Sequence, residues 1–274
     1  MVDTTFSFTD RVAVVTGGSG VLCKAIAEGL ARAGARVALV GHRHPERAEA
    51  TASAIRAAGG DARAFEADVL RKASQDRLVG NVMDRFGRVD ILVNGAGGAR
   101  PEATTAPDRA FFDLPEEAVR QVMDLNFLGT FFPCQAFGRV MVAQGNGNIL
   151  NIASMGAVRP LTRSVVYSAG KAAVVNFTQW LAVHMAQEYS KEIRVNALVP
   201  GFFQTEQNRF LLTEPGTGEL TERGRRILDH TPLGRFGEPE DLVGPSLWLL
   251  SDAARFVHGA TIVVDGGLNA YGGV

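Results

Sequence analysis

The sequence predicts an α/β fold, a doubly wound parallel sheet with helices on both faces. Three observations point to it. Short β-rich runs alternate with longer helical patterns along the chain, the order that a parallel sheet with crossover helices requires. The strands are almost unbroken runs of Val, Ile, Leu and Ala, as burial on both sheet faces demands. A glycine-rich turn, Thr16-Gly17-Gly18-Ser19-Gly20, links the first strand to the first helix.

The elements follow in order. Residues 12–15 read as a strand and 25–33 as a helix, with Ile26 and Leu30 on one face. Residues 37–40 are the second strand. An Ala-rich helix covers 45–58; Pro45 suits its first turn and Gly59-Gly60 ends it. Residues 64–67 form a weakly patterned strand, 74–86 a helix and 91–93 a strand. Residues 116–142 are a long helix, which Pro133 is expected to kink because it cannot donate to the carbonyl of Gly129. A strand at 149–152, a helix at 166–189 and a strand at 195–199 come next, then a helix at 238–250 and a last strand at 261–264. No repeat or linker interrupts the series, so residues 1–274 are read as one domain.

Composition narrows the function. Lys and Arg total 28 against 29 Asp and Glu, which gives no electrostatic case for a nucleic-acid or membrane partner. Cys23 and Cys134 are too few for a disulfide framework and lack metal-ligand spacing; they fit a reducing compartment. Residues 1–10 have no apolar core of a signal peptide, and no apolar run reaches membrane-span length. A cytoplasmic protein acting on a small molecule, without a metal, is expected.

Two irregular stretches, 99–114 and 202–235, follow strand ends. Ligands of open α/β sheets sit outside the carboxyl ends of the strands, so these are candidate substrate loops. The turn Gly17, Gly18, Ser19, Gly20 with the helix start Val21 and Leu22 can offer backbone amides to a pyrophosphate; a ligand-free turn is the plainer alternative. Asp68 and Val69 follow the third strand, where a carboxylate can receive an adenine amino group or simply cap a turn. Asn94-Gly95-Ala96-Gly97 follows the fourth strand, where small residues admit a cofactor close to backbone. Asn94 also suits a buried amide joining strands. At the second strand end, Gly41-His42-Arg43 lacks the acid that would bind the ribose 2′-OH of NAD. Arg43, with His42, can meet a 2′-phosphate. That favours NADP over NAD, unless Arg43 is a solvated charge.

Tyr167 and Lys171 lie four residues apart on a predicted helix and share a face. An ordinary phenol titrates near pH ~10, and a nearby ammonium with an oxidised nicotinamide would lower that value. A surface pair with a snorkelling lysine is the alternative. Ser154, just after the fifth strand, can hold a substrate oxygen, and Asn126 can position Lys171 through water. Together with the glycine-rich turn, these residues favour catalysis.

Thr16-Gly17, Asn94-Gly95-Ala96-Gly97, Asn126, Ser154, Tyr167 with Lys171, Pro200-Gly201 and Asp265-Gly266-Gly267 match, in order and spacing, the short-chain dehydrogenase/reductase family. The resemblance covers essentially the whole chain. It implies a Rossmann-like sheet of about seven strands, NADP or NAD as cofactor, and a homotetramer or homodimer. It makes Tyr167 the acid/base, with Lys171 binding ribose and tuning Tyr167, Ser154 orienting the carbonyl and Asn126 completing a proton relay. Pro200, Gly201, Phe203 and Thr205 would border the nicotinamide. One departure stands out: Val21 and Cys23 occupy positions where the family usually has glycine. Cys23 is either a thiol activated at a helix start or a small packed residue.

The chain further resembles the D-mannonate oxidoreductase (fructuronate reductase) branch of the family. The similar stretches are Gly17-Gly18-Ser19-Gly20-Val21-Leu22-Cys23, 124–130, 176–184, 200–209 and 269–274. That implies a sugar-acid substrate, D-mannonate and D-fructuronate. Its contacts would come from Ser154, Tyr167, Phe202, Gln207, Asn208, and Arg159 or Arg209 for the carboxylate, since a guanidinium can grip both oxygens. Arg100 is a further candidate. Each arginine alone reads as readily as a surface charge. Other keto-sugars or keto-gluconate, a 3-oxoacyl thioester, and a non-enzymatic NAD(P)-binding regulator are the alternatives.

Overall fold

The computed structural model describes residues 6–205, 212–214 and 216–273. Seven parallel strands form one sheet in the order β3-β2-β1-β4-β5-β6-β7. They are β1 Val12–Thr16, β2 Arg36–Gly41, β3 Ala62–Glu66, β4 Ile91–Asn94, β5 Gly147–Ile152, β6 Ile193–Pro200 and β7 Thr261–Val264. The helices are α1 Val21–Arg32, α2 Pro45–Ala57, α3 Lys72–Phe86, α4 Glu116–Met123, α5 Gly129–Gln144, α6 Val165–Glu188, α7 Glu222–Asp229 and α8 Val243–Leu250.

Strand alternation divides the core in two. Ala13, Val15, Val37 and Leu39 pack with Ile26 and Leu30 of α1 and Leu249 and Leu250 of α8. Val12, Val14, Ala38 and Val40 face the other way, onto Leu78 and Val82 of α3, Phe137 and Met141 of α5, and Phe177 of α6. Neither face of the central strands is left to water, which explains their unbroken apolar runs.

The expected strands are all present, with β3 beginning two residues before its expected start. The helices depart in instructive ways. α1 starts at Val21, ahead of the expected 25, because the extended Gly20 serves as N-cap without a polar side chain to mark it. The long helix is broken not at Pro133 but a turn earlier, by a π-helical turn at Asp124–Leu128. There Gly129 N bonds back to Asp124 O, and α5 then runs through Pro133. Such π turns frequently mark functional positions, and this one holds Asn126. The expected 238–250 helix is a 3-10 turn, Pro239–Leu242, followed by α8. α7 lies within the stretch read as irregular.

Candidate active site

The sheet order reverses between β1 and β4, whose carboxyl ends pair as Thr16 with Asn94. Connections leave these two strands to opposite sides, and a crevice opens between them. A cavity of about 430 Å³ occupies it, bordered by the β1 turn, the β4 turn, the end of β5 and the start of the connection after β6.

The turn fits a dinucleotide closely. Gly17 has φ 67°, and a Cβ on it would lie 2.6 Å from Gly95 O. A Cβ on Gly97 would lie 2.8 Å from Asn126 Oδ1 and 3.0 Å from Lys171 Nζ. Thr16 Oγ1 accepts from Gly95 N at 3.2 Å and holds the two turns together. The first amides of α1 have no intrahelical acceptors, and no acidic side chain stands in its first turn. Ser19, Gly20, Val21, Leu22, Ala96 and Gly97 line the cavity with them. This is a glycine cradle with amides and the positive end of a helix, suited to a pyrophosphate.

The reactive candidates converge at the other end. Ser154, Tyr167 and Lys171 all line the cavity. The Ser154 and Tyr167 hydroxyls share a hydrogen bond, and Ser154 Oγ also accepts from Gly156 N at 3.3 Å. Lys171 Nζ is 6.0 Å from the Tyr167 ring centre and donates to Ile152 O at 2.7 Å. Burial lowers the Lys171 pKa to about 8, within reach of proton exchange at working pH. Burial raises that of Tyr167, opposed by the Ser154 bond. The expected depression of the phenol by the ammonium is therefore not a property of the protein alone: Nζ is turned to Ile152 O, and desolvation dominates. A phenol held protonated is suited to donating.

Asn126 is fully buried and clamps the segment after β4. Its Nδ2 donates to Gly98 O and Val122 O, each at 2.8 Å, and its Oδ1 accepts from Gly98 N at 3.1 Å. It flanks Lys171 across Gly97.

Other expected residues fall differently. Gly18 is buried, and its amide donates to Val40 O at 3.1 Å. The Asn94 side chain turns into the sheet, donating to Asn151 Oδ1 at 2.9 Å, as the strand-joining reading has it. Asp68 caps its own turn through Leu70 N at 2.9 Å and lies 3.3 Å from Arg71 and 3.8 Å from His42. Val69 is buried beside Gly129. His42 and Arg43 are exposed and do not border the cavity. Cys23 is packed on Gly95, so closely that a Cβ there would meet its Sγ at 1.9 Å. Burial pushes its thiol up to about 11, the opposite of activation. Pro200, Gly201, Phe202, Phe203 and Thr205 all border the cavity. Arg159 does not: it donates to Asn269 Oδ1 at 3.0 Å and to the Asn269 carbonyl. Arg100 bonds Gln121. Gln207, Asn208 and Arg209 lie outside the described residues.

Sequence reasoning missed several lining residues. His44 and Arg47 come from the start of α2, and Met155, Leu161 and Ser164 from the segment between Ser154 and Tyr167. Arg223 comes from α7. Arg47 lies in the first turn of α2, while Arg43 precedes the helix, so no shared helical face marked the pair. Arg223 gave no signal either.

Comparison with known proteins accords with this arrangement. A family model described as enoyl-(acyl carrier protein) reductase, of the short-chain dehydrogenase/reductase type, matches residues 19–269. A curated relative from Bacillus subtilis (strain 168), the uncharacterized oxidoreductase UxuB, is 44% identical over 96% of this chain and 96% of its own. A Haemophilus influenza protein provisionally described as a D-mannonate oxidoreductase, solved with bound NAD, is 40% identical with TM-score 0.90, covering 98% of each chain. A gluconate 5-dehydrogenase from Burkholderia cenocepacia J2315, in complex with NADP and tartrate, is 33% identical with TM-score 0.85, over 97% of this chain and 98% of that one. With its Rossmann-like sheet and glycine cradle, the chain belongs to the short-chain dehydrogenase/reductase family and is an NAD(P)-dependent oxidoreductase of alcohol and ketone groups.

Proposed function

We propose that the protein interconverts a secondary alcohol and a ketone of a sugar acid, D-mannonate and D-fructuronate in the first instance. The observation that carries the chemistry is the convergence of Ser154, Tyr167 and Lys171 on one cavity with the glycine cradle. The similarity to the Haemophilus protein supports the substrate. Similarity to the gluconate 5-dehydrogenase favours a second reading, 5-keto-D-gluconate.

In the reducing direction a nicotinamide cofactor held by the glycine cradle would supply the hydride that the carbonyl carbon takes up. Ser154 donates to the carbonyl oxygen and holds it beside Tyr167. Tyr167 gives its proton to that oxygen as negative charge develops there, and the alcohol forms. Lys171, exchanging protons near pH 8, stabilises the resulting phenolate, which is reprotonated from water. Asn126 keeps the 97–98 segment and Lys171 in register. Arg47 on the cavity wall, with Arg43 just before α2, supports NADP over NAD by offering cations to a 2′-phosphate. We propose a cytoplasmic homotetramer; its two cysteines are free and buried, and exposed Trp180, Val183 and Tyr189 on and after α6 offer an apolar face for assembly.

The test is oxidation of NADPH and NADH by purified protein with D-fructuronate, 5-keto-D-gluconate and an acetoacetyl thioester. Selective turnover of a sugar acid supports the reading. Preference for the thioester, or no turnover of either acid, removes it.

A further inference from the structure

Arg223 stands in the first turn of α7, in the long connection after β6. That turn is firmly anchored. Thr221 Oγ1 accepts from Gly224 N at 3.0 Å, and Thr221 N donates to Leu212 O at 3.0 Å. Gly224 packs so tightly that a Cβ there would lie 2.3 Å from Leu212 O. The helix therefore presents Arg223 in a fixed place, on the wall of the cavity that holds Ser154 and Tyr167.

Three other arginines of these segments already have partners. Arg226 pairs with Glu222, Arg235 with Asp241, and Arg159 with Asn269. Arg223 makes no hydrogen bond or ion pair with another described residue, although it is half-buried. Burial and, among the described residues, the like charge of a second guanidinium, Arg163, hold the pKa of Arg223 below the ordinary value. Arg163 adopts φ 73°, rare for a residue with a side chain, and its carbonyl accepts from Thr105 N at 3.0 Å. It immediately precedes Ser164 of the cavity wall. Arg223 thus shares a cavity with Ser154 and Tyr167, and Arg163 adjoins that cavity through Ser164.

A half-buried cation facing a like charge is unfavourable until an anion joins it. We propose that Arg223, assisted by Arg163, binds the substrate carboxylate and selects sugar acids over neutral sugars. This deepens the sugar-acid reading and rests on it. Arg223 grips the carboxylate through its planar fork, while Ser154 and Tyr167 hold the reacting oxygen. Arg163 adds charge from the rim.

The experiment compares wild type, Arg223→Gln, Arg223→Lys and Arg163→Gln on D-fructuronate, or 5-keto-D-gluconate if the panel selects it, beside neutral D-fructose. Inhibition by D-mannonate, NADPH affinity by fluorescence and melting temperature are read on each. Loss of a charge-assisted pair predicts a roughly 10- to 150-fold fall in kcat/KM for the acid in Arg223→Gln, carried by KM. Inhibition by D-mannonate should weaken by a similar factor, with D-fructose turnover, NADPH affinity and melting unchanged. Arg163→Gln, altering an exposed side chain, should show a smaller fall of the same kind, and Arg223→Lys should restore part of the preference. If Arg223→Gln keeps the wild-type preference and inhibition, or loses NADPH affinity instead, the assignment is overturned while the sugar-acid reading stands. A wild type that favours D-fructose over the acids overturns both.

Discussion

Replacing Lys171 by methionine is expected to stabilise the cofactor-free protein while abolishing turnover. Lys171 is 4% exposed, and burial moves its pKa from 10.5 to about 8. That difference corresponds to about 3 kcal/mol, at about 1.4 kcal/mol per pH unit. The sign follows from linkage. Below pH 8 Lys171 is charged in both folded and unfolded protein, and the whole penalty is present. Between pH 8 and 10.5 the folded protein sheds the proton first, and the penalty fades. Methionine also forfeits the 2.7 Å bond to Ile152 O, a loss of about 1 kcal/mol. The net gain near neutral pH is then about 2 kcal/mol, or roughly 4 °C in melting temperature for a chain of this size. The assay is thermal unfolding of wild type and Lys171→Met without cofactor, at neutral pH and near pH ~10 where the lysine is mostly neutral in the fold. The difference should be clear at the lower pH and nearly absent at the higher. A variant that melts lower than wild type at neutral pH, or a gain independent of pH, would refute the reasoning.

Other perturbations have equally definite outcomes. Gly95→Ala drives a methyl group into Cys23 Sγ, 1.9 Å away, and should cost about 1–3 kcal/mol in urea unfolding; in a Cys23→Ala background most of that cost should vanish, and additive effects would contradict the packing account. Ser154→Ala should lower kcat by roughly 10²–10³-fold with little change in cofactor affinity, as removal of a donor to the reacting oxygen does. Arg43→Ala with Arg47→Ala should weaken NADPH binding and leave NADH binding nearly unchanged; equal losses for both would dissociate these residues from the 2′-phosphate.

The sheet was legible because its chemistry is local and repeated. Both faces of each central strand are covered, so every such strand is an apolar run. The strand ends were legible for a related reason: Gly17 and Gly97 sit where a Cβ has no room, a constraint written directly into residue type. Other features depend on distant contacts. Arg159 looked free to serve a substrate, yet its partner Asn269 lies 110 residues on. α7 is short, polar and carries Gly224 in its first turn, so neither periodicity nor propensity marked it. The aim of Arg223 followed from the docking of that helix on Leu212. Asn94 could be read as a cofactor contact or a strand tie, and only the position of Asn151 decides which way its amide turns. Tyr167 lines the cavity with Ser154 and Lys171, but its protonation depends on burial, which spacing alone does not give.

The most direct test is Tyr167→Phe. The variant keeps the ring that packs against the neighbouring apolar residues and removes only the hydroxyl that bonds Ser154. NADPH affinity and melting temperature should stay close to wild type, while turnover of the best substrate falls by at least about 10³-fold, since the donated proton is lost with the oxygen. Substantial turnover by Tyr167→Phe would contradict the account, and the proton donor would have to be sought elsewhere in the cavity.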